Sequence, residues 1–350
     1  MTEQLKLKLN DSKATRWGAL VIVAFTMMAA YYVNDVVAPL KTMLETDLAW
    51  SSTDFGFFTG GYSFLNVFFL MLIWGGLILD RFGIRFTGKL ATILMVGGTA
   101  LEYYAMTGLA GADATLFGIN EIFGYKTGVF VAFAGYSIFG VGAEVAGITV
   151  SKIIAKWFKG KELATAMGVQ VALARIGSQA GYAVAIPLAR AFGISTPVLL
   201  GLVLLLGGMI AFFIFAVMDK KLDKQMEAAA IAAGTEDEEE KFSFKDVKNI
   251  LVNPGFWLIA LLCVLFYSCV FPFQKFASEL MIIKYGINEN VAGTFAGLPA
   301  LGALILTPVF GGFIDKRGKS ASIMLLGSAM LICVHFIYAI PDINYWLVAI

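Results

Sequence analysis

The chain has 350 residues, a formal net charge of +1, 59% hydrophobic residues and only 15% charged ones. A soluble domain carries about 25% charged residues, and one this size has no interior large enough for so much apolar surface, so a soluble fold is excluded. The near-neutral charge offers no field for nucleic acid, and a single histidine leaves no imidazole-based catalytic or metal-ligating set.

In chain order, apolar runs stand near residues 17–40, 55–79, 87–108, 128–151, 163–186, 196–218, 255–281, 291–314, 320–340 and 343–350. A spanning helix needs about 20 such residues, so nine complete spans and part of a tenth are expected. They must be helices, because lipid cannot satisfy open backbone N–H and C=O groups. Residues 1–16 are polar and basic, and the first run is too long for the apolar stretch of a cleaved signal, so it anchors the chain. Cys263, Cys269 and Cys333 lie in apolar runs without CxxC spacing and are expected as buried thiols rather than metal ligands. His335 is expected to be packed or shielded.

Basic residues alternate from loop to loop. Nineteen fall on the side of the N-terminal tail, including Lys6, Arg81, Lys156, Lys220 and Lys316. Only Lys41, Lys126, Arg190 and Lys284 fall opposite. Cytoplasmic loops hold the excess, so the N-terminus is expected in the cytoplasm. The division is a tail (1–16), a six-helix bundle (17–218), a cytoplasmic linker (219–252) and an incomplete second bundle (253–350). The linker carries the acidic run Glu236–Glu240, read as a solvated spacer. At its end Phe244, Val247 and Leu251 keep helical spacing and suggest a short helix on the membrane surface.

One pattern occurs twice. Gly76, Asp80 and Gly83 recur as Gly311, Asp315 and Gly318, with Arg81, Arg85, Lys316 and Arg317 around them. Each copy falls between the second and third helix of its half. The glycines suit close helix approach. The aspartate can accept from helix N-termini across the half-interface, and the bases can pair with carboxylates of the partner half. Such loops can latch one gate state; read blandly, they are tight polar turns.

Both loops resemble the signature loop of the major facilitator superfamily. A longer stretch resembles its lysosomal dipeptide transporter branch. The residues that carry this are Phe139–Glu144, Trp157–Leu163, Ala174–Ser178, Val270–Phe273 and Asp35. The resemblance implies an all-α membrane protein of major facilitator fold: a six-helix bundle plus an incomplete second one. It implies a carrier of dipeptide-like zwitterions, acting by alternating access as a uniporter and needing no cofactor. It also implies that Glu144 and Arg175 grip the two ends of a peptide. Residues 1–16 show no acidic dileucine signal, so a bacterial plasma membrane is the expected address, with the lysosomal membrane as alternative. The accessory glycoprotein of the lysosomal members is not expected.

The charges within the runs carry a reading of their own. A charge at mid-helix costs about 2.5–3.5 kcal/mol on insertion scales. Arg175 and Glu144 lie on consecutive antiparallel runs at similar depth. A guanidinium matches a carboxylate bidentately and a carboxylate matches an ammonium, so the two can bind a zwitterion or form a permanent brace. Asp35, after Tyr31, Tyr32 and Asn34, suits a polar ligand or interfacial water. Lys275 can neutralise Glu279 one turn on or face the cavity. Glu102, beside Tyr103 and Tyr104, is expected at the interface, and Lys152 is expected to snorkel. Pro272 should kink its helix into a gate, with Tyr267 facing the same space. Proton coupling through Asp35 or Glu144 stays open, as do a sugar or organic-anion carrier and a sensor without turnover.

Overall fold

The computed structural model describes residues 8–111, 114–233, 249–317 and 319–341. Their helices are α1 (Lys13–Val36), α2 (Lys41–Asp47), α3 (Ser52–Phe68), α4 (Met71–Ala105), α5 (Thr127–Trp157), α6 (Leu163–Phe192), α7 (Thr196–Ala233), α8 (Pro254–Tyr285), α9 (Glu289–Arg317) and α10 (Ser320–Ala339). A two-residue hairpin, β1 (Glu121–Ile122) with β2 (Tyr125–Lys126), precedes α5. Local chemistry sets several starts. Ser51 and Asp54 form a reciprocal capping box at α3, at 3.1 and 2.8 Å. Asn253 caps α8 ahead of Pro254, its side chain 2.9 Å from Gly255 N.

The chain between Ser52 and Ala105 departs from expectation. The helix expected at 55–79 breaks instead after Phe68, where α3 and α4 bend by 58°. The turn expected near 80–86 is helical except at Gly83 (φ 75, ψ 173). A side chain disfavours positive φ, so glycine marks the single residue where α4 leaves helical geometry. Among the described residues six helices are long and apolar enough to cross a membrane, seven if the bent pair is one span. The helix with Arg175, α6, is not among them. The expected tenth run (343–350) and most of the surface helix near 244–251 lie outside the described residues.

In lipid the force between helices is close packing rather than water exclusion. Accordingly α1 sits centrally with Ala19, Val23, Ala24, Ala29, Val33 and Val36 buried, packed on α6 and α7, while α5 packs on α3 and α4. At the end bearing the N-terminus, Arg16 binds Glu162 at 2.7 Å and Lys161 binds Asp11 at 2.7 Å.

Among the described residues α8 and α9 meet the earlier helices from the opposite end inward to Gly297, where a Cβ would crowd Gln179 of α6. The polar and ring contacts across this boundary fall at Gln274–Glu279 and Glu289–Asn290 on one side. Lys41 binds Glu279 at 2.5 Å, Arg190 pairs with Glu289 and reaches Asn290 at 2.9 Å, and Tyr182 donates to the Gln274 carbonyl at 3.1 Å. A Cβ at Gly293 would collide with the Tyr182 carbonyl, so glycine permits this approach. The three cysteines are exposed on α8 and α10 rather than buried. His335 packs at 5.7 Å from the Phe273 ring.

Candidate functional site

A cavity of about 520 Å³ opens between α1, α3, α5 and α8. Small-molecule sites usually span about 300–1,000 Å³. Glu144 of α5 faces it, and its carboxylate accepts a hydrogen bond from Tyr62 Oη at 2.8 Å. Beside it lies a cleft of about 40 Å³ lined by Arg175, Asp35, Ser178 and Tyr182. Tyr31, Asn34 and Phe271 border both spaces. The Arg175 guanidinium lies 5.8 Å from the centre of the Tyr31 ring, a cation–π distance. Among the described residues no ion pair joins Arg175 to Glu144 or to another carboxylate. The permanent brace is therefore not formed here. Ser178 Oγ is buried beside the cleft and has no hydrogen-bond partner among the described residues.

Lys275 corrects another expectation. It does not pair with Glu279, which binds Lys41 instead. Its ammonium crosses into the first bundle and donates to the Asn34 carbonyl at 2.6 Å and to Tyr136 Oη at 3.1 Å. Asp35 Oδ1 stands 3.8 Å away and accepts from Asn34 Nδ2 at 2.8 Å. An exposed i,i+4 pair stabilises by only a few tenths of a kcal/mol, so cross-helix partners in a drier site prevail.

Glu102 also differs: it is fully buried rather than interfacial. Tyr104, two residues on, is the exposed member of that segment. Lys152 pairs with Asp80 at 2.9 Å, both side chains about half exposed. Asp80 thus binds a base of α5 rather than a helix N-terminus of the partner half. Arg85 likewise stays within the first bundle, pairing with Asp219 at 3.3 Å and with Asp223 of α7. Asp219 is wholly buried and also accepts from Lys156 at 2.8 Å and Trp157 Nε1 at 2.9 Å. Arg81 rests over the Phe82 ring at 5.4 Å. Gly76 faces open space; its neighbour Gly75 is the one pressed on Val145 of α5, because each residue turns a helix face by about 100°. Gly311 and Asp315 lie within α9 by backbone, with side chains outside the described set, and Gly318 is outside the described residues.

Pro272 lies inside α8 and lines the large cavity. Tyr267 lines neither space; it stacks on Phe271 at 4.9 Å and is about half exposed. The structure therefore gathers Glu144, Arg175, Asp35, Lys275 and Pro272 around two adjoining spaces. Sequence reasoning missed Tyr62, Tyr136 and Ser178 as site members. Thr59, Tyr62 and Ser63 keep helical spacing in an otherwise apolar run, a signal that marks a cavity face. Tyr136 gave no comparable signal.

A model of the Major Facilitator Superfamily matches residues 18–350. Lysosomal dipeptide transporter MFSD1 of Homo sapiens is 27% identical over 348 residues, covering 95% of this chain and 68% of that protein. The Danio rerio counterpart is 25% identical over 339 residues, covering 94% and 68%. Among solved structures, the crystal structure of D-xylose-proton symporter aligns with a TM-score of 0.55 at 15% identity, covering 86% of this chain and 69% of that one. At that identity the likeness concerns the fold alone.

Proposed function

The chain belongs to the Major Facilitator Superfamily, and on that premise we propose that this multi-pass membrane transporter carries dipeptides or similar small zwitterions by alternating access. It is a carrier, not an enzyme. One observation bears most of the weight: Arg175 and Glu144 border adjoining spaces yet leave each other unpaired. A guanidinium without a carboxylate suits a C-terminus, and a carboxylate held by a single hydroxyl suits an ammonium. A dipeptide spans about 7 Å when extended, and the larger cavity has room for it. The dipeptide assignment of the MFSD1 relatives agrees with this reading.

In this proposal Asp35 and Lys275 border the binding region, Tyr267 supports it through Phe271, and Pro272 lets α8 bend. The loop around Gly76, Asp80, Arg81, Gly83 and Arg85, with its counterpart at Gly311, Asp315 and Gly318, governs switching between states. The N-terminus faces the cytoplasm and the membrane is the plasma membrane; an N-terminal epitope stained in intact cells would reverse that orientation. The central test is uptake of labelled dipeptide by reconstituted vesicles. Uptake above empty vesicles, lowered by excess unlabelled dipeptide, is expected. Clear sugar uptake with no dipeptide signal would replace the solute while leaving the carrier.

A further inference from the structure

Glu102 lies on α4 where it meets α5. Gly98 and Gly135 bring these backbones together, and a Cβ on Gly135 would stand 2.9 Å from Glu102 N. The side chain is 0% exposed, and among the described residues neither carboxylate oxygen has a hydrogen-bond partner. An ionised carboxylate in such a place lacks both water and donors.

The charged and titratable groups that face it are few. Lys275 of α8 reaches Tyr136 Oη at 3.1 Å, and Tyr136 follows Gly135, whose backbone abuts Glu102. Asp35 of α1 stands on the other side of Lys275, and Tyr62 of α3 is next to Tyr136. No ionic group of α7 acts on Glu102 among the described residues. Two carboxyls, Asp35 and Glu102, thus share one cation. Lys275 spends its hydrogen bonds on the Asn34 carbonyl and Tyr136. Asp35 has a donor in Asn34, whereas Glu102 has none.

We propose that Glu102 is a proton-binding site, a neutral carboxylic acid while Lys275 is held beside Asp35. When α8 moves, the site opens to water and Lys275 turns toward Glu102, the acid releases its proton to that water and leaves a carboxylate paired with the ammonium. No electron is transferred. Because Lys275 belongs to the half that moves, proton occupancy is tied to the conformational cycle. The inference rests on the carrier reading only for that cycle, and the identity of the solute does not enter it.

Infrared difference spectra of the reconstituted full chain read the C=O stretch of a protonated carboxyl without any solute. A band at neutral pH is expected in the wild type and lost in Glu102→Gln. In Lys275→Gln it should persist to higher pH, since the cation that favours the carboxylate is gone. If Glu102→Gln does not accumulate, Glu102→Asp should keep a band at a shifted frequency. Absence of a Glu102 band from the wild type at neutral pH overturns the proposal. So does a band whose titration ignores Lys275→Gln. A failure of dipeptide uptake leaves these spectra unchanged and speaks to the solute alone.

Discussion

Lys275 donates a hydrogen bond to the main-chain carbonyl of Asn34 at 2.6 Å, so an ammonium of the second half is seated inside the first. Breaking one partner of a buried ion pair costs about 3–5 kcal/mol, because the other charge is left bare. Lys275→Ala should therefore lower the melting midpoint in detergent, and adding Asp35→Asn should recover part of the loss. Melting curves of both single variants and the double variant check this. Strictly additive losses would show that the two residues are not coupled.

Arg175→Ala and Glu144→Gln should each reduce dipeptide uptake about 30-fold or more, taking about 2–5 kcal/mol for a desolvated charge pair with the ligand. Tyr62→Phe removes only the hydroxyl that steadies Glu144, and about tenfold is expected. Uptake is to be normalised to protein in the membrane. Full activity in both charge variants would remove them from the site.

Gly293→Leu should hold the end opposite the N-terminus apart, since its side chain meets the Tyr182 backbone. Spin labels at the exposed positions Phe192 and Asn288 read that separation. A longer distance than in the unsubstituted protein is expected, and an unchanged distribution counts against this contact as a limit on closure.

Arg16 donates two hydrogen bonds to Glu162, at 3.1 and 2.7 Å, and so holds its carboxyl below the ordinary value of 4.5. A carboxyl depressed on folding stabilises above its ordinary range and loses that contribution as pH falls through the folded value. Glu162→Gln should thus melt slightly lower than wild type at neutral pH, and the two midpoints should converge on acidification. A gap independent of pH would assign the difference to something other than this ion pair.

Most spans were legible because lipid demands long apolar helices whatever the packing. The bend after Phe68 was not, since the residues flanking Leu70 are as apolar as those elsewhere in the run. Glu144, Arg175, Asp35 and Lys275 stood out as charges in apolar surroundings. Their partners were hidden, because a sequence does not give the rotation of one helix against another. Glu102 shows this most clearly. Beside two tyrosines it looks interfacial, yet two residues along a helix turn a face by about 200°, putting Tyr104 outward and Glu102 inward. The loop base Arg85 differs for a related reason: it reaches Asp219 and Asp223 of α7 within its own bundle.

The polarity of α6 bears on how the protein is made. Gln170, Arg175 and Gln179 lie along this one helix, and a lone guanidinium at mid-bilayer partitions poorly. As the ribosome delivers it, α6 gains by leaving the translocon already leaning on α1. Insertion of α6 is therefore expected to depend on its contact with α1, and a weakened α1–α6 contact should surface first as a chain inserted with the wrong number of crossings.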